Sequence, residues 1–365
     1  MSGLLVTPRL RVSQTYHTPQ PLIPDSGGDF EEPRPDPSTE GDVQLEREID
    51  CGKEVMCCRF NPSGTLLAAG LVSGTIKVYT VSDGSCLHTL RDDQSIAACL
   101  PVTALRFHPT TPVSMGDLLL ATYAGGQVKF WHLSTQSCVR HLREDRQILA
   151  ATFNPSGSHF ITAGSSQEIL VYDTKSMTCV NVCQPSPSLS VMDGHRSRVF
   201  GLTFHPGSEE SFISGGWDDT VQFWDIRQKH SLRKISGPHV CGDALDIDPD
   251  MEQILTGSWR KQESLQVWDS QTGQKIRTVP DDFRGPSRVY SCRWLGAGHM
   301  VAAGSDINMC RIVDRNSLLT RGSLVDLPCG VYSLDISSKP SAAPLIAVTS
   351  GHRLFLVRPT GSAFS

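Results

Sequence analysis

A short hydrophobic segment, with an aromatic residue or a valine near its end, recurs seven times along this chain of 365 residues. Each copy is rich in β-branched and aromatic side chains, which is typical of a buried strand. Equivalent positions lie 41 to 52 residues apart, a period at which repeated units stack into one continuous core. The seven segments occupy residues 76–80, 128–132, 169–173, 221–225, 265–269, 310–314 and 354–358.

The clearest copy of the repeating unit covers residues 193–236. Gly, Pro, Ser and Asp divide it into four short strands, predicted at 199–205, 211–216, 220–226 and 230–235, which indicates an antiparallel meander. The order of Gly-His, Ser-Gly, Asp and Trp-Asp within this unit resembles the WD40 repeat, whose units are the blades of a β-propeller. The resemblance implies an all-β fold, a seven-bladed WD40 β-propeller.

The same resemblance gives a role to four polar positions of the fourth unit. It implies that a hydrogen-bonded network forms inside the blade from His195, Ser214, Asp218 and Trp224. Buried imidazole, carboxylate and indole N–H groups are tolerated only when they satisfy one another, so we interpret this set as structural rather than catalytic. Only the fourth unit has all four of these residues. The sixth and seventh units lack the Trp, and most units lack the His.

The two ends of the chain differ in composition from the repeats. Residues 1–41 carry seven prolines and an acidic cluster at 29–32, which predicts a disordered tail. That tail is either a docking or phosphorylation segment or an inert extension. Only seven residues follow the seventh repeated segment, too few for its fourth strand. We expect the alternating segment 42–50 to supply that strand, so that residues 42–365 form a propeller closed by its own N-terminal strand.

Charge and composition narrow the class of protein. Residues 1–54 carry 5 Lys and Arg against 11 Asp and Glu, and the remainder carries 28 against 27. A nearly neutral body lacks the basic face that nucleic acid requires, so direct nucleic-acid binding is not expected. Without a long apolar run or a secretory signal, we expect no membrane contact and a cytoplasmic or nuclear protein. The 12 cysteines are scattered over strands, which favours buried reduced thiols over a disulfide framework.

Motifs that carry chemistry are missing from the sequence. There is no paired CxxC zinc pattern, no HExxH, no GxxxxGKS/T phosphate loop and no GxSxG nucleophile turn. We therefore predict a protein that is not an enzyme and that uses no metal and no cofactor. Its expected work is recognition of protein partners, either peptide segments or subunits of a complex.

The WD40 resemblance also implies where partners bind. In such rings the start of each first strand and the residue before the Asp of the network surround the top opening of the channel. Aromatic and arginine side chains, which are common in interface hot spots, occupy several of these positions. The candidate partner-binding residues are Phe200, Trp217, Trp259, Arg260, Tyr290 and Tyr332. The alternative is that several of these rings only plug the central channel.

A second resemblance covers residues 212–227, FISGGWDDTVQFWDIR. This segment is similar to the signature of WD40 substrate receptors that dock the adaptor of cullin-RING ubiquitin ligases. The resemblance implies that Asp225 and Arg227 dock the adaptor, with the arginine on the bottom face. Otherwise Arg227 is a surface residue that stabilises its own blade. An exposed and free Arg227 favours the receptor, and an Arg227 buried in an internal salt bridge favours the structural role. Two functions therefore stand at this point: a non-enzymatic interaction scaffold, or a ubiquitin-ligase substrate receptor.

Overall fold

Seven antiparallel sheets account for nearly all the regular structure of the described residues. The computed structural model describes residues 36–109, 118–188, 190–248, 250, 252–337 and 344–361. The first strands of neighbouring sheets contact one another in sequence, and the first strand of the last sheet contacts that of the first. The sheets are therefore the blades of a closed ring, and the predicted seven-bladed β-propeller is confirmed.

Blades one to four each take four consecutive strands, from the inside of the ring outwards. Blade 1 has Val55–Phe60, Leu66–Leu71, Ile76–Thr80 and Cys86–Leu90. Blade 2 has Val102–Phe107, Leu118–Tyr123, Gln127–His132 and Ser137–Arg143. Blade 3 has Ile148–Phe153, His159–Gly164, Ile169–Asp173 and Cys179–Cys183. Blade 4 has Val199–Phe204, Ser211–Gly216, Thr220–Asp225 and Arg233–Ser236.

Blades five to seven complete the ring. Blade 5 has Leu245–Asp248, Gln253–Gly257, Leu265–Asp269 and Lys275–Thr278. Blade 6 has Arg288–Leu295, His299–Ser305, Cys310–Asp314, Thr320–Val325 and, outermost, Ser38–Gly41. Blade 7 has Leu334–Ile336, Ile346–Ser350, Arg353–Pro359 and, outermost, Val43–Asp50. One short α-helix, Asp93–Ala98, lies between blades 1 and 2.

The N-terminal part of the described chain supplies outer strands to two blades. Val43–Asp50 runs antiparallel to Arg353–Pro359, which gives blade 7 its fourth strand. Ser38–Gly41 pairs with Thr320–Val325, although the sequence predicted a disordered tail up to residue 41. That boundary was wrong because the open edge of blade 6 offers unpaired backbone groups to the chain. Residues 1–35 of the predicted tail lie outside the described residues.

The core lies between the blades. Side chains of blade 1 such as Ile76 and Val78 pack in one cluster with Leu105 and Trp131 of blade 2. Blade 7 packs on blade 1 in the same way, through Leu356 against Leu67. Burial of apolar area at about 25 cal/mol per Å² makes every blade depend on both of its neighbours.

The first strands share a pattern of burial that shapes the channel. In blades 1 to 4 the second and fifth residues are partly exposed and the other four are buried. Strict alternation would separate exposed positions by two residues, but the pairing slips by one residue after the first position, as between Val55 and Cys57. The channel is therefore lined by two rings of side chains. We call the face at which the first strands begin the top face.

Candidate functional site

The fourth blade holds a continuous hydrogen-bonded network. His195 donates from Nδ1 to the Asp218 carboxylate at 3.0 Å, and its Nε2 accepts from the Ser214 hydroxyl at 2.6 Å. The indole N–H of Trp224 donates to the same hydroxyl at 2.7 Å. Asp218 also accepts from the backbone N–H of Arg196. Although burial opposes ionisation, these donors, with His195 foremost, keep the pKa of Asp218 below its ordinary value.

Blade 2 replaces this network with a buried ion pair. Lys129 is 1% exposed, and both oxygens of Asp92 accept from its ammonium group, at 2.6 and 2.7 Å. Tyr123 and Trp131 flank the ammonium group with their ring faces, at 5.5 and 6.0 Å. Asp92 also caps the helix Asp93–Ala98 by accepting from the Ser95 N–H. One carboxylate therefore fixes both the helix and the buried lysine.

In blade 3 the connecting residue Glu144 takes the central place. Its carboxylate accepts from Thr162 at 2.6 Å, from Tyr172 at 3.1 Å and from the Arg146 guanidinium at 2.6 Å. Blades 2 and 3 thus lack the His and Ser residues of blade 4 but still join their third strand to a preceding connection by polar contacts. Degenerate repeats in the sequence do not mean missing networks.

A cluster of charged side chains crosses the central channel. One oxygen of Asp243 accepts from Arg59, from Arg293 at 2.5 Å and from Arg106 at 3.1 Å. Arg59 also pairs with Asp335 at 2.7 Å. We call this set, with Asp246, the channel cluster. Its formal charges cancel, since three arginines face three aspartates.

The electrostatics of the channel cluster favour a charged Asp243. Burial alone would raise its pKa, but the charges of Arg106, Arg293 and Arg59 hold the pKa of this carboxyl far below its usual range. Burial, with the like charge of Arg59, lowers the pKa of Arg106 to about 10. One oxygen of Asp243, Oδ2, is thus shared by three protein cations.

Sequence reasoning missed the channel cluster. Arg59 and Arg106 each stand alone in an apolar strand, Arg293 shares its strand with Arg288, and none of the three belongs to a recognised motif. The available signal was the position of the arginines. Arg59, Arg106 and Arg293 follow by three places Met56, Thr103 and Tyr290, which were predicted to surround the top opening of the channel. A period of three is not expected of a strand unless it contains a bulge.

Above the channel cluster a cavity opens toward the top face. It has a volume of about 170 Å³, and its wall is mostly apolar. We call it the vestibule. Its upper wall is the second residue of each first strand, or the equivalent position: Met56, Thr103, Leu149, Phe200, Asp243, Tyr290 and Tyr332. A second cavity on the opposite side of the cluster is lined by Arg106, Asp246 and Arg293. The channel cluster, rather than the aromatic rings, therefore separates the two ends of the channel.

The structure brings some of the candidate top-face residues together. Phe200, Tyr290 and Tyr332 line the vestibule, and the two tyrosine rings meet edge to face at 5.2 Å. The ring of Trp217 stacks on those of Phe200 and His239, with centroid distances of 5.2 and 6.1 Å. Trp217 nevertheless remains 38% exposed. The guanidinium of Arg198 also lies over the Trp217 ring.

Trp259 and Arg260 are not part of the vestibule wall. The guanidinium of Arg288 covers the ring of Trp259 at 4.5 Å. Arg260 pairs with Asp219 at 2.7 Å, and Asp219 also accepts from His239 at 2.7 Å. These residues therefore extend the aromatic surface sideways, toward blade 5.

Arg227 is exposed but not free. Its side chain is 65% exposed, and it donates to both oxygens of Asp225, at 2.9 and 2.6 Å. Glu210 lies 3.4 Å from the same guanidinium. The hydrogen bonds from Arg227 lower the pKa of Asp225. Arg227 therefore has the exposure expected of an arginine that docks an adaptor, but it is not free of ion pairs.

Two further observations concern the chemistry of the described ranges. Within them, no three His, Cys, Asp or Glu side chains lie close enough to hold a metal ion. No helix of that part of the chain is long and apolar enough to cross a membrane.

Comparison with known proteins points to one family. The family model described as "WD domain, G-beta repeat" matches residues 186–225. The model "Anaphase-promoting complex subunit 4 WD40 domain" matches residues 44–109. The first match ends with the third strand of blade 4, and the second begins in the outer strand of blade 7 and ends in blade 2.

Several known proteins are similar to part of this chain at low identity. Periodic tryptophan protein 2 of Arabidopsis thaliana is 27% identical over 293 residues, which cover 73% of this chain and 30% of the relative. Pre-mRNA-processing factor 19 homolog 2 of the same plant is 23% identical, over 69% of this chain and 45% of the relative. Target of rapamycin complex 1 subunit mip1 of Schizosaccharomyces pombe is 28% identical, over 43% of this chain and 12% of the relative. The chain spans less than half the length of each of these relatives.

Proposed function

Since this chain belongs to the WD40-repeat family of β-propellers, we propose that it is a non-enzymatic scaffold that holds a segment of a protein partner on its top face. Its partners are peptide segments or subunits of a multiprotein complex. On this proposal it works in the cytoplasm or the nucleus.

The observation that carries the proposal is the aromatic surface around Trp217. Stacking on Phe200 and His239 holds the Trp217 ring in place, while 38% of that residue stays open to solvent. Tyr332 lies across the vestibule and is 36% exposed. Preorganised aromatic side chains lose little entropy on binding, and they are the residues that most often dominate an interface.

The names of similar proteins are in accord with such a role. One relative is called a subunit of target of rapamycin complex 1, and one matching family model is of a subunit of the anaphase-promoting complex. These assemblies belong to those proteins, and no particular complex is carried over to this chain.

A random peptide library displayed on phage tests the proposal. Peptides selected on the wild-type protein should bind with micromolar Kd, as measured by fluorescence anisotropy. Trp217→Ala should weaken them about tenfold or more, since it removes a central aromatic contact. Leu87→Ala, in the exposed outer strand of blade 1, is the matched control and should leave the affinity unchanged. Selected peptides that bind Trp217→Ala as tightly as wild type would contradict a top-face site.

A second candidate function is that of a cullin-RING ubiquitin-ligase substrate receptor. The exposure of Arg227 favours it, and the bidentate pair with Asp225 opposes it. The test is affinity purification with mass spectrometry of wild type, Arg227→Ala and Trp217→Ala, all first shown to melt alike. Loss of a ligase adaptor from Arg227→Ala alone supports the receptor, and absence of that adaptor from the wild-type sample removes this candidate.

A further inference from the structure

The vestibule, at the upper end of the channel, is an open and mostly apolar cavity beside an aromatic surface. We propose that it is an anchor pocket that receives one uncharged apolar side chain, aromatic or branched, from the bound partner segment. This inference deepens the proposed function and rests on it. It names the chemical class that the top face selects.

The size of the vestibule suits a single side chain. Its volume is about 170 Å³, and a cavity of about 150 Å³ lined by aliphatic and aromatic groups is known to bind benzene. A phenyl or isobutyl group therefore matches this volume. The walls offer suitable surfaces, with Met56 and Leu149 on one side and the rings of Tyr290 and Tyr332 on another.

Charge at the floor of the vestibule decides against an ionised occupant. The floor is the channel cluster, in which Asp243 already accepts from three arginines. A lysine or arginine from a partner would come close to the three arginines that already surround Asp243, and it would be repelled by their like charge. A carboxylate would have to compete with Asp243 and Asp335 for Arg59 and its neighbours. An uncharged group avoids both costs.

The backbone beside the pocket is closely packed and fixed by a hydrogen bond. Gly242 lines it, and a Cβ at this position would come within 2.3 Å of the Tyr290 carbonyl oxygen. The inner strands therefore approach as closely as glycine permits. Ser291 donates to the Asp243 carbonyl at 3.2 Å, which ties the same turn to blade 6. Such a pocket does not need to be formed by the ligand, so little binding energy is lost to reorganisation.

Small probes test the vestibule separately from any peptide. The full-length protein carries ¹³C-labelled methionine methyl groups, and the Met56 signal is assigned with Met56→Leu. Toluene, n-butylammonium and butyrate are titrated as the apolar, cationic and anionic probes. We expect toluene to shift the Met56 signal saturably and the two ions to leave it in place. Leu149→Trp, which fills the cavity, should reduce the toluene affinity about tenfold or more, and Leu87→Trp on the exposed outer strand of blade 1 should not change it.

Each outcome decides a different claim. A saturable shift by n-butylammonium or butyrate but not toluene overturns the assignment of an apolar occupant, and no shift by any probe overturns the pocket itself. Peptides that depend on Trp217 but bind Leu149→Trp as well as wild type would leave the proposed function standing and remove the anchor. If toluene binds but no selected peptide depends on Trp217, the apolar pocket stands and the proposed function is removed. Matching melting temperatures of the variants exclude misfolding as the cause.

Discussion

Ser214 is the residue at which the network of blade 4 is most vulnerable. Its hydroxyl is donor to His195 and acceptor for Trp224 at once. Ser214→Ala leaves two buried ring nitrogens without a partner, and each such loss costs about 1 to 3 kcal/mol. We expect the free energy of unfolding in urea to fall by about 3 kcal/mol. Ser188→Ala, in an exposed loop, is the control and should lose less than about 0.5 kcal/mol. If Ser214→Ala loses no more unfolding free energy than Ser188→Ala, the network does not stabilise blade 4.

Asp243 gives the protein a dependence on acid that can be measured. Its pKa is held far below that of an unfolded aspartate, which is near 3.9. As the pH falls, Asp243 therefore takes up a proton in the unfolded chain while it stays ionised in the folded chain. The stability that Asp243 contributes is present above about pH 5 and falls as the pH is lowered. Asp243→Asn should cost about 3 kcal/mol at pH 7, because three arginines lose their shared partner.

The difference between wild type and Asp243→Asn should then shrink as the pH falls from 5 toward 3. Urea unfolding curves at four pH values measure it. A difference that stays constant over this range would mean that Asp243 is not ionised in the channel cluster.

At the scale of the element, the short helix and blade 2 are joined by a single carboxylate. Asp92→Ala removes the helix cap and leaves Lys129 buried without its partner. Losing one member of a buried pair costs about 3 to 5 kcal/mol when the charge left behind is buried. Lys129 is 1% exposed and would stay without solvent, whereas the Asp92 side chain is 33% exposed and can be solvated when Lys129 is replaced. We therefore expect Asp92→Ala to destabilise more than Lys129→Met by about 2 kcal/mol.

The double variant Asp92→Ala with Lys129→Met should recover most of that loss, as measured by thermal and urea unfolding. Two single variants of equal cost, with additive effects in the double variant, would rule out the ion pair as the source of the coupling.

The strands also show what sequence alone predicts. Third strands such as 221–225 were located from their apolar and aromatic pattern, because burial between blades leaves that pattern in the sequence. The bulge in the first strands of blades 1, 2, 3, 4 and 6 was not visible in the sequence, so the second exposed position, as at Arg59, was not placed in the channel. The strand Ser38–Gly41 was missed for another reason. Its four residues have no apolar period, and only an open edge on blade 6 recruits them.

For the whole molecule, the number of blades followed from the count of repeats, but the arrangement of the top-face residues did not. Sequence position indicated that Phe200, Tyr290 and Tyr332 surround the channel. It carried no information on the stacking of Trp217 with His239, which comes from a different blade connection. It also placed Arg227 on a surface without showing its pair with Asp225, since a side-chain rotamer is not written in the sequence.

Closure of the ring is a property of the whole chain, because Val43–Asp50 pairs with the last strand and Ser38–Gly41 with the blade before it. Removing residues 1–50 exposes the third strand of blade 7 and the fourth of blade 6 as open edges, and it uncovers apolar residues such as Leu356. We expect this truncation to lower the melting temperature by about 10 °C or more and to promote aggregation. Removing residues 1–35 leaves both outer strands in place and should change the melting temperature by less than about 2 °C. The two truncations, compared by calorimetry and light scattering, separate the strands from the segment before them. Equal melting temperatures would mean that the ring is stable without its N-terminal strands, and that the packing between blades 7 and 1 alone closes it.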